Sequence, residues 1–514
     1  MVLGHDGIGK GGRSWIEPPW AEDGPERVAI DADLPADHPA RRIDELVAML
    51  DLSTLYETYT GSGTRPYRPE LMLRVVLYEI HCGQNQPARW ARDARENRVV
   101  QWLARGIRPS RTRWYEFRKR VGPLLDPWSQ QVLCLAMVEG LTEASRSALD
   151  GSTIAANASR HKLVNEATLQ KRRVELEQAM EQDHANAPVV PTAAWMASTP
   201  RGREQQHQRY ERAREQMAQR QAENKKRASD KRKPAEKIVV SVSDPQAALG
   251  LDKYKVFRPL YNVQLSCDLD SPLILAYEIF AQPGDSGTLR TMLDRQVQGT
   301  GLKPRQVLAD AGYATALDLA VCDQAGVELY APYQENSFSA AKRASRPPRQ
   351  ISKSQFQWLE EEQTYQCPQG HRLRKVGQER KRRFGDQRLL VIQYQCDTKH
   401  CLECPRQTTC TSKPKSGRTI KRSEYEPLVE ALQARMRTPE AKALYKLRAQ
   451  TVERGFADMK EHRRLRRFSG KGLLSARTEI GLLVLAHNGL ALLAARKPKE
   501  NDTSDALTPC GIAA

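Results

Sequence analysis

The chain has 514 residues, with 81 Lys and Arg against 62 Asp and Glu, and its formal net charge is +19. This length exceeds one ordinary domain of about 100 to 200 residues, so three or four structural units are expected. The positive balance favours a polyanionic partner, above all nucleic acid, over the alternative of a merely basic soluble surface.

The sequence shows no export or membrane signal. The first ten residues include Asp6 and lack the roughly 7 to 15 apolar residues of a signal peptide. The longest apolar tract, residues 481–494, is interrupted by His487 and Asn488 and is shorter than the roughly 20 residues that cross a bilayer. We expect a cytoplasmic protein without a membrane span, in which cysteines are thiols or metal ligands rather than disulfides.

The N-terminal part of the chain is predicted to be helical. Residues 1–37 are rich in Gly and Pro and predict a flexible N-terminus, whereas apolar residues recur at helical spacing from about residue 38. Residues 69–83 are apolar nearly all round, which is typical of a buried helix. Residues 110–120 mix cations with aromatic residues, a pattern that favours DNA docking and equally a helix whose Trp114 and Phe117 are core residues.

The residue composition of the chain changes near residue 161 and again near residue 237. Residues 161–236 are rich in Gln, Glu, Arg, Lys and Ala, which predicts two long polar helices that either hold phosphates or are simply solvated. Strand-like segments follow at 238–242, 261–267 and 273–280, and short strands then alternate with helices up to about residue 335. A meander followed by alternation predicts a mixed α/β sheet.

Two aspartates lie next to predicted strands. Asp150 follows an apolar run in Leu149-Asp150-Gly151-Ser152-Thr153, and we expect it at a strand end. Asp310 follows the strand-like segment 306–309, at the carboxyl edge where open α/β sheets usually bind ligands. Carboxylates that converge in this way suit Mg²⁺, which prefers oxygen ligands.

A third acidic residue lies on a helix predicted over residues 439–467, which opens with a Thr438 cap before Pro439. At 100° per residue, one face of this helix carries Tyr445, Arg448, Glu453 and Lys460. A carboxylate flanked by cations suits a metal ion with phosphate. The alternative is an ordinary amphipathic helix whose charges face water.

In this order the motifs resemble those of bacterial insertion-sequence transposases of the DDE type. Residues 149–156 are similar to the first Asp motif of that family and residues 309–313 to the second. Tyr445-x2-Arg448 and Glu453-x6-Lys460 resemble the Tyr-Arg-Glu-Lys signature, although four residues rather than three separate Arg448 from Glu453. Residues 38–121 are similar to the helical N-terminal domain of these enzymes.

The resemblance implies a domain plan. A helical DNA-binding domain at 38–140 would precede a ribonuclease-H-like catalytic core, an α/β fold, at 141–160 and 237–335. Helices at 426–496 would complete the core, a polar helical insertion and a Cys-rich insertion would interrupt it at 161–236 and 336–425, and residues 497–514 would form a flexible tail.

The resemblance also implies roles. Asp150, Asp310 and Glu453 would be catalytic and bind Mg²⁺ or Mn²⁺, while Tyr445, Arg448 and Lys460 would contact DNA. The partners would be double-stranded terminal inverted repeats and target DNA, bound by a homodimer that joins two transposon ends. The reaction would be DNA cleavage and strand transfer.

Five cysteines cluster in the second insertion. Cys401-x2-Cys404 is a pair typical of a metal-binding turn, and Cys410 is a third ligand. The resemblance adds Cys367 as the fourth ligand of a structural zinc, whereas sequence proximity favours Cys396, with His371 as a further alternative. Chance clustering of reduced thiols remains open.

Two other functions fit part of the pattern. A catalytically silent or repurposed protein that only binds terminal repeats would not need the three acidic residues, all of which are present. A junction resolvase of the same fold would not need both a large helical N-terminal domain and the Tyr-Arg-Glu-Lys helix.

Overall fold

The computed structural model describes residues 14–59, 63–185, 193–227, 229–252, 254–333, 351–377, 380–384, 387–411 and 414–496. The chain forms two compact units. The first consists of Met1–Asp285, Thr291–Pro304 and Ala449–Ala514, and the second of Ser286–Arg290 and Arg305–Arg448. The predicted tail at 497–514 lies outside the described residues.

Eight α-helices precede the first long strand in the described part of the first unit. Four of them begin at a proline, whose fixed φ suits the first turn of a helix. The eight helices are α1 (Pro25–Asp33), α2 (Pro39–Met49), α3 (Ser53–Glu57), α4 (Pro69–His81), α5 (Pro87–Glu96), α6 (Arg98–Ala104), α7 (Arg111–Val121) and α8 (Leu125–Val138).

Helix α1 lies within the segment 1–37 that the sequence analysis expects to be flexible, and residues 1–13 of that segment lie outside the described residues. Ile30 is buried, and Arg27 donates to the Asp44 carboxylate at 3.4 Å and lies over the Trp102 ring at 4.8 Å. These partners are remote in the sequence, so a local pattern with few apolar residues did not reveal the helix.

Helices α4 and α7 show which residues form the core of the helical domain. Helix α4 is buried on almost every side, as its composition predicts. In α7, Trp114 and Phe117 are core residues, and Trp114 meets Trp90 edge to face. The aromatic residues therefore belong to the core, and the exposed face of α7 keeps Tyr115 with the cations around it.

The elements that follow in chain order are β1 (Arg146–Ala155), β2 (Leu163–Asn165), α9 (Glu166–His184), α10 (Pro200–Lys225), β3 (Val239–Ser241), β4 (Ala248–Leu251), β5 (Phe257–Asp268), β6 (Ile274–Phe280) and α11 (Leu289–Thr300). Strand β5 pairs antiparallel with β1, β4 and β6. Ten of its twelve residues, from Pro259 to Asp268, are buried without interruption, so it is the central strand of this unit.

Helices α9 and α10 are the two long polar helices that the sequence predicts. They share a small apolar core with β2 and β3, which includes Leu176, Tyr210 and Met217. The prediction that residues 238–242 join the main meander is wrong, because β3 pairs with β2 in a separate two-stranded sheet. Strand β4, which the sequence analysis missed, pairs with β5 instead.

The second unit contains β7 (Gln306–Leu308), α12 (Ala316–Ala325), β8 (Glu328–Tyr330), β9 (Gln357–Leu359), β10 (Thr364–Gln366), β11 (Arg372–Lys375), β12 (Arg380–Phe384), β13 (Gln387–Cys396), α13 (Thr398–Leu402), α14 (Gln407–Cys410), β14 (Thr419–Ser423), α15 (Glu426–Arg435) and the start of α16 (Pro439–Ala457). Strands β7 and β8 are parallel. Strands β9 to β14 form an antiparallel sheet in the order β12-β13-β11-β10-β9, with β14 on β13. Together with the helices, these strands make the chain a mixed α/β protein.

Helix α16 begins as predicted, since the Thr438 hydroxyl accepts from the Ala441 N–H at 3.2 Å. It ends ten residues before the predicted boundary at residue 467, because a π-helical turn at Asp458–His462 follows Ala457. This turn widens the helix before the chain leaves it.

The last helix of the described chain is α17 (Leu473–Ala495). It extends beyond the apolar tract 481–494, and among the described helices it is the one that is long and apolar enough to cross a membrane by length and composition alone. It is largely buried and packs on α2, α4, α8 and β6. Its Asn488 side chain bonds both backbone groups of Ile274 at the edge of β6, so the helix is a core element of the first unit.

Candidate active site

Asp150 lies in the middle of β1, where it pairs with Leu265 of β5, rather than at the strand end that the sequence predicts. Its Oδ1 accepts from the Gly151 N–H at 2.9 Å, and its side chain is half-buried. Burial raises the pKa of the neighbouring Cys267 thiol to about 12, and the negative charge of Asp150 acts in the same direction. Asp150 therefore presents a carboxylate beside the central strand.

Gly151 is required by close packing on the opposite face of β1. A Cβ atom at this position would lie 2.1 Å from both Asp285 Oδ1 and Gln264 Nε2. Asn262 and Gln264 donate to that same Asp285 oxygen at 2.8 and 2.7 Å, and both amides are buried. Asp285 is thus a further carboxylate in addition to the three predicted acidic residues, and it lies against Gly151 on the face of β1 opposite Asp150. The sequence analysis missed it, although the two amides on an apolar strand were a signal.

The turn of α16 that carries Glu453 packs on the Asp150 face of the strands. A Cβ atom on Gly455 would lie 3.2 Å from Cys267 Sγ and 3.8 Å from Leu265 Cδ1. Leu265 is the register partner of Asp150, and Glu453 itself is exposed two residues before this contact. The first unit therefore brings the first aspartate motif and the glutamate helix into one neighbourhood.

Lys460 joins the same neighbourhood from the π-helical turn. Its Nζ donates to the Ser152 hydroxyl, two residues after Asp150 on the same face of β1, and lies 5.3 Å from the centre of the Phe456 ring. A cation held by a hydroxyl and an aromatic face is well placed to meet a phosphate oxygen.

Asp310, Tyr445 and Arg448 belong to the second unit. Asp310 follows β7 and caps a short 3₁₀ turn, because its Oδ1 accepts from the Gly312 N–H at 2.6 Å. Its position just beyond a parallel strand agrees with the sequence prediction. Tyr445 and Arg448 lie on the first half of α16, and both are half-buried.

Two family models match the chain. One, described as Transposase DDE domain, matches residues 366–492, and the other, described as Transposase domain (DUF772), matches residues 28–120. The chain therefore carries domains of a DDE transposase. The comparison with curated proteins gives no match. The first matched range includes Glu453 and Lys460, whereas Asp150 and Asp310 lie outside both ranges.

The cysteine cluster of this transposase also lies in the DDE-matched range. A cavity of about 30 Å³ is lined by both His371 and His400, whose rings stack 4.0 Å apart, and by Cys367, Cys396, Cys401, Cys404 and Cys410. Burial raises the pKa of Cys396 to about 12, with Cys401 and Cys367 acting in the same direction. Cysteine binds a metal ion as the thiolate, so a cation in this cavity would favour the ionised form of Cys396 that burial disfavours.

Thiols are donors that zinc prefers, and these five line one cavity. Among these described cysteines, however, no three sulfur atoms all lie within 4.8 Å of one another, the spacing that groups the donor atoms of a candidate metal site. In the described part of the transposase, the three-residue group whose donor atoms lie within 4.8 Å of one another is Glu177, His207 and Glu211, between α9 and α10. That group already holds a cation, because Arg173 donates to Glu211 at 2.6 Å and to Glu177 at 3.1 Å. It is an ion-pair network that links the two polar helices.

Proposed function

We propose that this transposase binds terminal inverted repeats in DNA and cuts and joins DNA strands in a metal-dependent reaction. The observation that carries the proposal is the convergence of Asp150, the Glu453 turn and Lys460 in the first unit. Asp310 would complete the acidic set, as the second motif of the family resemblance. Ribonuclease-H-like topology of the core, with insertions at 161–236 and 336–425, belongs to the same proposal.

The acidic residues fit divalent cations, since they are oxygen donors and Asp150 is only half-buried. Asp150, Asp310 and Glu453 would hold Mg²⁺ or Mn²⁺. Bound ions of this kind activate water and stabilise the leaving 3′ oxygen in phosphodiester chemistry.

The chain's own residues would orient the DNA. Lys460, fixed by Ser152, would bind a phosphate oxygen next to Asp150, and Arg448 and Tyr445 would contact the backbone farther along α16. Gly151 lets β5 and Asp285 approach β1 closely, which would hold the Asp150 backbone rigid. The freed 3′ hydroxyl would then attack target DNA without a covalent protein intermediate.

The cysteine cavity would hold a structural zinc through Cys367, Cys401, Cys404 and Cys410, with Cys396 as the alternative fourth ligand. The partner would be double-stranded DNA, and a homodimer would join two ends in the bacterial cytoplasm. The helical domain from α2 to α8 would supply end recognition.

The test is cleavage of the element's own terminal repeats in Mg²⁺. We expect nicking at the repeat ends by the wild-type protein and its loss in Asp150→Asn, Asp310→Asn and Glu453→Gln, with end binding retained. Asp294→Asn, an exposed carboxylate on α11, is the matched control and should cut normally. Binding without cutting by the wild-type protein would favour a catalytically silent end-binding protein, and residual cutting in any of the three variants would refute its assignment.

A further inference from the structure

A dense run of cations follows the π-helical turn. In residues 463–471, the side chains of Arg463, Leu465 and Phe468 are buried, and the three residues between them are exposed arginines. Lys471 follows at the end of the segment and is also exposed. An extended segment that packs on one face produces such an alternation, so the packing of the buried residues turns the other cations to solvent. These exposed cations are Arg464, Arg466, Arg467 and Lys471.

Hydrogen bonds to two neighbouring elements hold this segment in one place. The Phe468 N–H donates to the Ala155 carbonyl at the end of β1 at 3.0 Å. The Glu479 carboxylate of α17 accepts from the N–H groups of Ser469 and Gly470 at 2.9 and 2.6 Å. Glu479 is only 1% exposed, so this anchor lies in the core of the first unit. The cations therefore have defined positions, and a ligand that binds them loses little free energy to ordering of the backbone.

The loop after β1 brings further cations to this segment. The Arg467 guanidinium donates to the Ala158 carbonyl at 3.2 Å, although 309 residues separate the two in the chain. The Asn157 side chain donates to the Ser469 carbonyl. Two exposed cations follow in the same loop. The basic surface, as we name it, consists of Arg160, Lys162, Arg464, Arg466, Arg467 and Lys471.

The helical domain also contacts the segment that carries the basic surface. The Asn85 amide donates to the Arg463 carbonyl at 3.3 Å, and Arg118 of α7 donates to the Ser469 hydroxyl at 2.6 Å. Arg118 also lies 5.6 Å from the centre of the Tyr115 ring, on the exposed face of α7. The basic surface therefore lies where the helical domain meets the end of β1.

The charge of the basic surface is only partly neutralised by carboxylates of the described chain. Glu461 pairs with Arg466 at 2.5 Å, and both side chains are more than half exposed. Burial raises the pKa of the nearby Asp244 carboxyl, and the charge of Lys471 opposes this shift. Like charges held side by side repel, and a polyanion relieves this repulsion. The cations that have no ion-pair partner among the described residues are Arg160, Lys162, Arg464 and Arg467.

The type of side chain indicates which part of a nucleic acid this surface contacts. Every residue of the basic surface is a lysine or an arginine, and guanidinium groups match the geometry of phosphate oxygens. Sequence is read by side chains that reach base edges inside a groove, whereas cations along a protein surface contact the backbone. A duplex carries one negative charge per roughly 1.7 Å of its axis, so it presents several phosphates at once to a surface of this kind.

We propose that the basic surface binds the phosphate backbone of double-stranded DNA without reading its sequence. The surface is separate from the acidic residues proposed to cut DNA and from the helices α2 to α8 proposed to recognise ends. This inference rests on the proposed function, because DNA is the substrate proposed for the chain.

Fluorescence anisotropy with the full-length protein in EDTA measures binding without cutting. The two probes are a terminal-repeat duplex and a scrambled duplex of equal length and composition, each titrated over a range of salt concentrations. Arg464→Gln and Arg160→Gln, one from each segment, should each weaken both duplexes by about eightfold in about 0.1 M salt. The slope of log affinity against log salt concentration should become shallower by about 0.9 for each variant, because one phosphate contact is lost. The preference for the terminal repeat should stay unchanged.

Two further variants separate a loss of contact from a loss of folding. Glu461→Gln removes the carboxylate that pairs with Arg466, so this variant should bind both duplexes more tightly than the wild type. An unfolded protein would not produce such a gain. Lys303→Gln changes an exposed lysine outside the basic surface and should reproduce the wild-type affinity and slope.

Wild-type affinity and slope in both Arg464→Gln and Arg160→Gln would overturn the proposal. A loss confined to the terminal-repeat duplex would also overturn it, since the two residues would then read sequence. Polyglutamate that competes as well as a scrambled duplex of equal charge would identify an acidic polypeptide as the occupant and overturn the assignment to DNA. Equal binding of both duplexes by the wild type would instead contradict terminal-repeat recognition, and the slopes of the variants would still judge the basic surface.

Discussion

Lys460 donates a hydrogen bond through Nζ to the Ser152 hydroxyl, although 308 residues separate the two in the chain. The contact ties the last cation of the Tyr-Arg-Glu-Lys signature to the first aspartate motif. Its geometric consequence is that the cation of the π-helical turn and the carboxylate of Asp150 lie on the same face of β1.

Loss of the Lys460 charge should slow cleavage. For Lys460→Gln we expect a drop of about 100-fold in the rate of end cleavage, because a fixed donor to a charged transition state is lost. Ser152→Ala should slow cleavage severalfold, since the cation loses its anchor, and Ser152→Thr should retain activity. Single-turnover cleavage measures the rates, with Lys446→Gln, an exposed lysine on α16, as the control. An unchanged rate in Lys460→Gln would refute this role.

A methyl group on Gly151 should destabilise the fold. Gly151→Ala forces a Cβ against Asp285 and Gln264, and overpacking of this kind typically costs about 1 to 3 kcal/mol. Urea denaturation measures the loss in the free energy of unfolding. Gly284→Ala is the matched control, because its Cβ would meet no atom within 4 Å. Equal stability of the two variants would show that Asp285 does not lie where the structure has it.

The cysteine cavity should retain a metal during purification. We expect about one zinc ion per chain by elemental analysis, and its loss in Cys404→Ser together with a lower melting temperature. Cys367→Ser and Cys396→Ser discriminate the fourth ligand, since the true ligand should lose zinc and the other retain it. Cys82→Ser changes an exposed thiol in the helical domain and should keep the metal. Zinc-free wild-type protein with unaltered stability in added zinc would contradict the site.

Glu79 should make the stability of the protein depend on pH. It is only 2% exposed, and burial raises its pKa to about 8, with Asp93 acting in the same direction and Arg89 and Arg92 opposing. The folded state therefore binds a proton that the unfolded state releases between about pH 4.5 and pH 8. The free energy of unfolding should fall as the pH rises through this window, by about 1.4 kcal/mol for each unit of pKa difference.

Thermal unfolding of Glu79→Gln tests this expectation. The variant should match the wild type near pH 5 and be more stable near pH 9, because the buried group no longer ionises. Glu57→Gln, an exposed glutamate in the same helical domain, should follow the wild-type curve. Parallel curves for the wild type and Glu79→Gln at every pH would refute the assignment.

The features that followed from local sequence are those with a local cause. The buried α4, the Thr438 cap, the two polar helices and the position of Asp310 after a strand all depend on periodicity or on neighbouring residues. The features that did not follow have remote causes. Strand β3 pairs with β2 rather than with the main sheet. Helix α1 packs through Arg27 on Trp102. The Asp285 carboxylate lies against Gly151 because Asn262 and Gln264 of β5 hydrogen-bond to it.

The same limit applies to the candidate site. Motif order suggested Asp150, Glu453 and Lys460, but the contact with Ser152 and the packing of Gly455 on Cys267 depend on where α16 ends. The α-helix α16 ends at the π-helical turn, and the residue pattern of 458–462 did not predict this turn.

Helix α17 has a consequence for the order of biosynthesis. It packs on α2, α4 and α8, so the helical domain acquires the centre of its core only after residues 473–495 have left the ribosome. A nascent chain that already displays the helices of that domain still lacks this support. The helical domain, which we propose to recognise DNA ends, would therefore reach its final packing only after α17 and the glutamate helix before it have been synthesised, and a chain truncated before α17 would lack this packing.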